Sequence, residues 1–326
     1  MSILTICIPT YNRINDLTYS VRITRDLIES KGLHEDVSVI ISDNCSPDNT
    51  YNIITHEISS YNRVQIKIFK QDSNIGGTKN MIFTIEKAET EYCMLLGDDD
   101  YINADYLTRV VHEIKTNKNI TCVFPSYQNI LPDKTYIKNL GRDLDCKTRY
   151  RKKGILNCCA NMKRAGQLSG LTFRKGNLVE LFIEKNMDNL FPQTFFMMKN
   201  CLNGESLLLV DYPILVTHIP LSQKDWNFGD DGLLSDLFEN CINLDLSVIK
   251  CSILEIVSIT SIKYILRSMN YNSISKIMKD KKTTFFAGCF LLLYTPYVKL
   301  EFLIKKIYWK FRPSFLYNIS QKSYAK

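Results

Sequence analysis

The sequence of this chain predicts an α/β fold with a mostly parallel sheet. In its N-terminal third, short apolar runs rich in β-branched residues alternate with segments of helical periodicity, as they do in βαβ units. The runs contain few polar residues, which indicates strands covered on both faces. Each run ends in polar residues, and right-handed crossovers bring such strand ends to one edge of the sheet. The sequence therefore predicts a binding site at that edge.

The predicted elements follow in simple order. Strands are expected at residues 3–8, 37–41, 64–69, 93–96 and 120–125, with helices at 15–30, around 53–58, at 78–87 and around 106–114. Residues 128–165 are polar and poorly periodic, which is typical of a long functional loop. A strand at 168–174, a helix at 194–202, strands at 207–210 and 213–217 and a loop at 225–231 near the site follow. Helical periodicity from about 233 to 310 predicts a C-terminal α-helical region at 221–326, after an α/β domain at 1–220.

Three consecutive carboxylates, Asp98, Asp99 and Asp100, directly follow the strand at 93–96. Adjacent anions repel one another, so a fold keeps them together mainly where water or a cation screens them. Mg²⁺ and Mn²⁺ suit such hard oxygen ligands. A solvated acidic turn, with Asp100 or Asn103 capping the next helix, is the alternative. The residues alone leave both interpretations open, and the place at a strand end favours the cation.

The net charge of +7 is concentrated at the C-terminal end of the chain. Residues 281–326 contain nine Lys or Arg and one acidic residue, against 32 basic and 33 acidic residues elsewhere. This tail is rich in apolar side chains and has no nucleic-acid motif, so we expect an anionic membrane surface as partner and no nucleic acid. Its apolar run at 285–298, which Pro296 interrupts, is shorter than the about 20 residues of a membrane span. Packing of the tail on the rest of the protein is the alternative.

The expected location is cytoplasmic, peripheral on the inner face of the cytoplasmic membrane. The first residues show no basic segment followed by an apolar one, so no secretory signal is expected. None of the eleven cysteines forms a Cys-x-x-Cys pair, and we expect reduced thiols.

Four polar segments carry a resemblance to a known family. They are Pro9-Thr10-Tyr11-Asn12-Arg13, Ser42-Asp43-Asn44 with Ser46, Asp48 and Thr50, Asn74-x-Gly76 with Lys79-Asn80, and Gly97-Asp98-Asp99-Asp100. In this order and spacing the chain resembles the family-2 glycosyltransferases of GT-A fold, well over residues 3–110 and loosely over 165–215. It also looks like the bacterial O-antigen enzymes that include the abequosyltransferases, which share a Gly-x-Asp-Asp sequence and a basic helical tail.

The resemblance implies a set of site residues. The nucleotide of a sugar donor would be bound by Pro9, Thr10, Tyr11, Arg13, Asp43, Asn44, Gly76, Lys79 and Asp98. Among these, Asp43 would accept a hydrogen bond from a base N–H. Asp99 would be the main ligand of Mn²⁺ or Mg²⁺, with Asp98 and His218 as further candidates, although a structural role is the alternative for His218. Gly97 stands where the family often has Asp, so the division of roles among the three carboxylates stays open.

The general base is the role for which the sequence offers no clear side chain. Many inverting relatives have Glu-Asp just before the helix predicted at 194–202, but Gln193 holds the Asp position here. A neutral amide cannot accept a proton near neutral pH. Asp188 and Asp100 are the candidates for a catalytic carboxylate, and a surface position is the alternative for Asp188.

The resemblance implies a metal-dependent, inverting hexosyl- or deoxyhexosyltransferase. It would move a sugar from a nucleotide-sugar donor to a lipid-linked saccharide acceptor in the synthesis of a bacterial surface polysaccharide such as O-antigen lipopolysaccharide or capsule. The amide at Gln193 also permits a catalytically silent subunit that binds a nucleotide sugar or a polysaccharide.

Overall fold

The computed structural model describes residues 2–218, 232–261, 266, 269, 271–279 and 283–311, and one mixed sheet lies at its centre. The strands are β1 (Leu4–Thr10), β2 (Val37–Asp43), β3 (Gln65–Lys70), β4 (Tyr92–Leu95), β5 (Ile120–Ile130), β6 (Tyr136–Arg142), β7 (Arg149–Arg151), β8 (Thr172–Arg174) and β9 (Glu205–Thr217). The helices are α1 (Ile14–Ser30), α2 (Thr50–Ile58), α3 (Gly77–Lys87), α4 (Ala104–Thr116), α5 (Ile155–Asn161), α6 (Leu178–Glu184), α7 (Pro192–Asn203), α8 (Gly232–Ile242), α9 (Val248–Ser261), α10 (Tyr271–Lys279) and α11 (Phe285–Phe311).

Within the described residues the strand order is β3-β2-β1-β4-β8-β5-β9-β7, and β6 pairs with β5. Strands β1 to β4 run parallel, so their carboxyl ends lie at one edge of the sheet. Strand β8 is antiparallel to both of its neighbours, whereas β9 is parallel to β5. The predicted α/β class with a largely parallel sheet and C-terminal helices is confirmed.

Alternate side chains of β1 enter two different cores, one on each face of the sheet. Leu4, Ile6 and Ile8 pack in the core that includes residues of α1 and α4. Cys7 packs in the core that includes residues of α3, α6 and α7. Burial on both faces accounts for the continuous apolar run in this strand.

The segment 128–165 is not the irregular loop that its composition predicts. Strand β5 continues to Ile130, β6 pairs antiparallel with it, and β7 pairs antiparallel with β9. The two short strands predicted at 207–210 and 213–217 are one strand, β9, whose register shifts relative to β5. These predictions are wrong because strand pairing, with β5 for β6 and with the distant β9 for β7, rather than local periodicity, orders this region.

The C-terminal helices pack on the α/β part through α8 and α9. Cys241 and Leu254 belong to the same core as Phe195 of α7. Phe238 and Leu291 belong to a second cluster that joins α8 to α10 and α11. The predicted domain boundary at 220/221 and the predicted loop at 225–231 lie outside the described residues, so the division into domains stays a prediction.

Helix α11 continues through Pro296, where the sequence predicts a break. Its segment Phe285–Lys306 is long and apolar enough, by length and composition alone, to cross a membrane. The helix is therefore longer than the apolar run counted from the sequence, because an isolated proline does not end it, and peripheral rather than spanning contact with a membrane stays a prediction. One face of α11 packs in the core, and the other exposes Phe286, Leu293, Tyr297, Leu300 and Ile304. Residues 312–326 lie outside the described residues.

Candidate active site

The three carboxylates occupy a turn between the ends of β1 and β9. The Leu96 N–H donates to the Cys7 carbonyl of β1 (3.0 Å), and Tyr101 forms a bridge with Leu215 of β9. The Asp100 N–H donates to the Gly97 carbonyl (3.2 Å) and closes the turn. The turn therefore lies at the sheet edge where the sequence predicts a site.

Arg13 joins the first two carboxylates. Its Nη1 donates to Asp98 Oδ1 (3.1 Å) and to Asp99 Oδ2 (2.9 Å). Thr10 Oγ1, at the end of β1, donates to Asp98 Oδ2 (2.8 Å). One cationic nitrogen thus offsets the repulsion between two adjacent anions.

Burial keeps the charges of this turn unfavourable despite that contact. It raises the pKa of Asp98 to about 6, with Arg13 opposing the shift. Burial and the neighbouring Asp99 raise the pKa of Asp100 to about 7. The pKa of Asp99 is also raised, mainly by burial. An added cation would therefore stabilise the ionised turn.

Asp100 uses both carboxylate oxygens to fix the turn. Its Oδ2 accepts from Ser169 Oγ (2.5 Å), and its Oδ1 accepts from the Thr217 N–H (2.8 Å). Thr217 Oγ1 also donates to the Asp99 carbonyl, and Ser169 Oγ accepts from the Gly97 N–H (2.9 Å). Asp100 is 6% exposed. This arrangement favours a positioning role for Asp100 over proton transfer.

Gly97 leaves little room for a side chain inside this network. A Cβ there would lie 3.1 Å from Asp100 Oδ2 and 3.3 Å from both Asp99 Oδ1 and Ser169 Oγ. The turn is therefore built around glycine, and an Asp at this position would displace the oxygens that hold it.

Gly97→Ala is expected to lower the free energy of unfolding by about 1–2 kcal/mol because the added methyl group overpacks the turn. Urea denaturation of the purified variant measures the change. Gly166→Ala is the matched control, since a Cβ at Gly166 meets no atom within 4 Å. Equal losses in the two variants would contradict this account of the turn.

Asp43 lies at the end of β2 and is fully buried. Its Oδ1 accepts from the Ser46 N–H (3.0 Å) and from Ser46 Oγ. Its Oδ2 is buried and has no hydrogen-bond partner in the described part of the chain. This oxygen is therefore an unused acceptor at the edge of the sheet.

Two asparagines tie the neighbouring strand ends together. Asn80 of α3 donates to the carbonyls of Ser42 (2.9 Å) and Thr10 (3.4 Å), which joins the ends of β1 and β2. Asn44 Oδ1 accepts from the Ile75 N–H (2.9 Å) and so holds the loop after β3. Gly76 follows in that loop with φ +85°, a conformation that favours glycine.

The other nucleotide-binding candidates lie at the same edge. Pro9 pairs with Ser42 between β1 and β2. Tyr11 is 44% exposed just beyond β1, and Lys79 is exposed in the first turn of α3. The nine residues named from the sequence are thus neighbours of the same strand ends, and their contacts with a nucleotide stay a prediction.

Asp98 and Asp99 fit a site for Mg²⁺ or Mn²⁺. One oxygen of each carboxylate lies within 3.1 Å of the same nitrogen, Arg13 Nη1. Two converging carboxylates suit cations that take their remaining ligands from water and phosphates. No group of three His, Cys, Asp or Glu among the described residues is arranged to hold a metal. His218 follows Thr217 with an exposed side chain, and its role as a ligand stays a prediction.

Neither catalytic candidate from the sequence gains a position suited to proton transfer. Asp188 is exposed and lines a surface depression with Asp236 and Glu239 of α8. Gln193 is 3% exposed in the first turn of α7, and its Oε1 has no hydrogen-bond partner among the described residues. The next residue, Thr194, contacts the carbonyl of Ala165 (3.5 Å), in the segment that leads to Ser169.

Sequence reasoning missed Ser169 and Thr217 as supports of the turn. They bond to Asp100 from 69 and 117 positions away. The sequence offered one signal for them, their positions within or at the end of predicted strands. Hydroxyl residues are common at such positions, so this signal did not single them out.

A family model described as Glycosyl transferase family 2 matches residues 5–164. The chain is 30% identical to the abequosyltransferase RfbV of Salmonella typhimurium over 105 residues, which are 32% of this chain and 30% of that protein. It is 28% identical to the chondroitin synthase of Pasteurella multocida over 137 residues, which are 42% of this chain and 13% of that protein. The chain thus spans less than a third of the length of these curated relatives.

Solved structures share the fold over nearly the whole chain. The crystal structure of S. aureus TarS 1–349 superposes with a TM-score of 0.58 at 15% identity and covers 92% of this chain and 88% of its own. The complex of the same protein with UDP-GlcNAc gives a TM-score of 0.59 at 16% identity, with 92% and 89% covered. At such identities the likeness concerns the fold alone.

Proposed function

Through residues 5–164 the chain belongs to glycosyl transferase family 2, and from this premise we propose that it transfers a sugar from a nucleotide-sugar donor to a saccharide acceptor. The observation that carries the proposal is Asp43 Oδ2, which is buried and has no partner among the described residues. An unpaired buried acceptor is unfavourable. The N–H of a nucleobase at the sheet edge would satisfy it.

The donor diphosphate is expected beside the carboxylate turn. Asp98 and Asp99 would hold Mg²⁺ or Mn²⁺, which when bound neutralises charge on the departing nucleoside diphosphate. Arg13 forms ion pairs with both carboxylates, and its planar guanidinium is also suited to bind the phosphate oxygens of the donor. Asp100 would keep the turn in place through its bonds to β9 and to the segment before β8.

Gln193 supports a positioning role on the acceptor side. Its unpaired Oε1 can accept a hydrogen bond from an acceptor hydroxyl, but the amide does not take up the proton. Gln193 would therefore orient the attacking oxygen. Inversion at the anomeric carbon, which the family resemblance implies, then needs another acceptor for the proton.

A donor panel tests the proposal. Purified protein is mixed with uridine, guanosine, cytidine and thymidine diphosphate sugars, with Mn²⁺ or with EDTA, and released nucleoside diphosphate is measured. Release that requires Mn²⁺ supports a metal-dependent transferase. Binding without release supports a catalytically silent subunit, the alternative that the amide at Gln193 permits. Failure to bind any nucleotide sugar would overturn both the transferase and a subunit that binds nucleotide sugars.

The similarity to an abequosyltransferase supports a hexosyl or deoxyhexosyl donor and an acceptor in a bacterial surface glycan. We propose that this acceptor is lipid-linked and that the protein meets it at the cytoplasmic face of an anionic membrane. The exposed apolar face of α11 supports this contact: Phe286, Leu293, Tyr297, Leu300 and Ile304. These positions recur at helical spacing, and nine basic residues lie in the same tail. Apolar burial and attraction to anionic lipid together favour peripheral binding.

Replacing Phe286, Leu293 and Ile304 together by Gln is expected to reduce binding to anionic liposomes by roughly tenfold or more, since each change removes an exposed apolar contact. Co-sedimentation at low and high salt measures the binding. Point substitutions are preferable to deletion of 281–326, because Ala287 and Leu291 of α11 belong to a core cluster.

The matched control replaces three exposed apolar residues elsewhere, Leu156, Ile183 and Ile249, by Gln. This control is expected to bind liposomes like the unmodified chain. Equal losses in the two triple variants, or binding that is indifferent to lipid charge, would count against the membrane surface.

A further inference from the structure

We propose that the Arg142 guanidinium forms a subsite for a negatively charged group of the acceptor, an inference that rests on the glycosyl transfer proposed above. Arg142 is the last residue of β6 and pairs with Tyr127 of β5. Its guanidinium lies 4.7 Å from the centre of the Tyr127 ring, and its Nη1 donates to the Lys163 carbonyl (3.3 Å). These two contacts fix the plane of the guanidinium.

The remaining edge of this guanidinium is unused. Nε and Nη2 are buried and have no hydrogen-bond partner among the described residues. These two nitrogens form one side of the planar fork, the side that accommodates the two oxygens of a carboxylate or phosphate. Leaving two charged donors unsatisfied in a buried position is unfavourable, so a ligand that supplies two acceptor oxygens would bind there with good geometry.

The nearest carboxylate does not fill this need. Asp143 Oδ2 forms an ion pair with Arg142 Nε at 3.5 Å, a separation longer than that of a good hydrogen bond. Both oxygens of Asp143 are instead engaged by Arg164, through Nε (2.8 Å) and Nη2 (2.6 Å). Arg142 and Arg164 therefore share a single carboxylate, which leaves the pair of guanidinium groups with an excess of positive charge.

This pair of guanidinium groups lies on the antiparallel side of the sheet, away from the strand ends that carry the nucleotide candidates. Strand β5, which pairs with β6, also pairs with β9, whose end supports the carboxylate turn. Lys163 precedes the turn Arg164–Gly166 and the segment that reaches Ser169. An anionic group held at Arg142 would thus be connected to both supports of the carboxylate turn: to Thr217 through β5 and β9, and to Ser169 through the segment after Lys163.

The shared chemistry of the ligand is an oxyanion, and an acceptor offers it from two sources. One is the carboxylate of an acidic sugar, and the other is the phosphate that links a saccharide to its lipid. Because the two nitrogens are covered, binding must displace their cover, and we expect a local rearrangement of the residues around Arg142 on binding.

The test measures binding of inorganic phosphate, glucuronate and uncharged methyl glucoside by NMR titration of the full chain. We expect phosphate or glucuronate to bind and methyl glucoside not to bind. Tighter binding of glucuronate would indicate an acidic sugar, and tighter binding of phosphate would indicate the phosphate of a lipid-linked saccharide. Arg142→Lys keeps the charge but loses the fork, and it should weaken anion binding about tenfold. Lys163→Gln, the control, removes an exposed charge from the residue whose backbone carbonyl contacts Arg142, and it should change binding less than twofold.

Release of nucleoside diphosphate from the donor without acceptor is measured on the same variants. This release should be the same in Arg142→Lys as in the unmodified chain. If the unmodified chain itself releases no nucleoside diphosphate, the proposed function is overturned, and the anion-binding test of the subsite is read separately. Circular dichroism confirms that the variant is folded. Absence of anion binding to the unmodified chain, or equal weakening by Arg142→Lys and Lys163→Gln, would overturn the subsite.

Discussion

Replacing Asp99 by Asn is expected to reduce sugar transfer by at least about a hundredfold while the fold is retained. Asp99 Oδ2 and Asp98 Oδ1 both contact the same nitrogen of Arg13, so the two carboxylates converge on a position that a single cation can occupy. Removing one of the two charges there weakens both the hold on a divalent cation and the charge balance of the leaving group, at about 3 kcal/mol or more of transition-state stabilisation. Steady-state release of nucleoside diphosphate at saturating Mn²⁺ measures the loss.

Direct Mn²⁺ titration by electron paramagnetic resonance separates this effect from a loss of donor binding. Asp26→Asn is the matched control, since Asp26 is an exposed carboxylate of α1. It should leave both transfer and Mn²⁺ affinity unchanged. Near-normal transfer by Asp99→Asn, with Mn²⁺ binding intact, would remove Asp99 from the role of main metal ligand.

The N-terminal half of the fold could be predicted because its signals are local. Strands β1, β2 and β4 are largely apolar and buried on both faces, which requires such runs, whereas β3 at the edge of the sheet alternates apolar and polar residues. The polar residues that follow the runs mark the edge of the sheet. The order β3-β2-β1-β4 then brings Asp43 and Asp98 to the strand ends on either side of β1 without any further information.

Strands β6 and β7 could not be predicted in this way. Strand β6 is polar along much of its length, and the backbone bonds of the Tyr127–Arg142 pair hold it in the sheet. Strand β7 depends on β9, more than fifty positions later in the chain. Local periodicity carries no trace of such pairs, so composition suggested a loop.

The same limit applies to the site. Asp43 and Asp99 stand out as acidic residues at strand ends, whereas Ser169 and Arg142 acquire their meaning only from partners distant in the sequence. Asp188 shows the converse: its nearness in sequence to Gln193 suggested a base, but the turn between α6 and α7 leaves its side chain exposed. Chemistry that depends on three-dimensional proximity is visible only after folding.

Asp43→Asn is expected to weaken nucleotide binding by roughly 10- to 100-fold without unfolding the protein. The oxygen that accepts from the Ser46 N–H (3.0 Å) can be kept by the amide oxygen of Asn. The amide NH₂ then replaces Oδ2, the buried acceptor without a partner among the described residues. In the variant, the amide NH₂ and the N–H of the base would be two donors that face each other. Such a mismatch costs about 1–3 kcal/mol of binding free energy.

Isothermal titration with nucleoside diphosphates measures this loss, and thermal denaturation shows whether the variant is folded. Asp72→Asn changes the same charge on an exposed residue just after β3 and is the control for electrostatic attraction alone. If a base N–H binds Asp43, the loss should persist at high salt, because a buried hydrogen bond is screened much less than a surface charge. A loss in Asp43→Asn that matched that of Asp72→Asn and vanished with salt would mean that Asp43 contributes only its charge, and Oδ2 would then have no role in recognising the base.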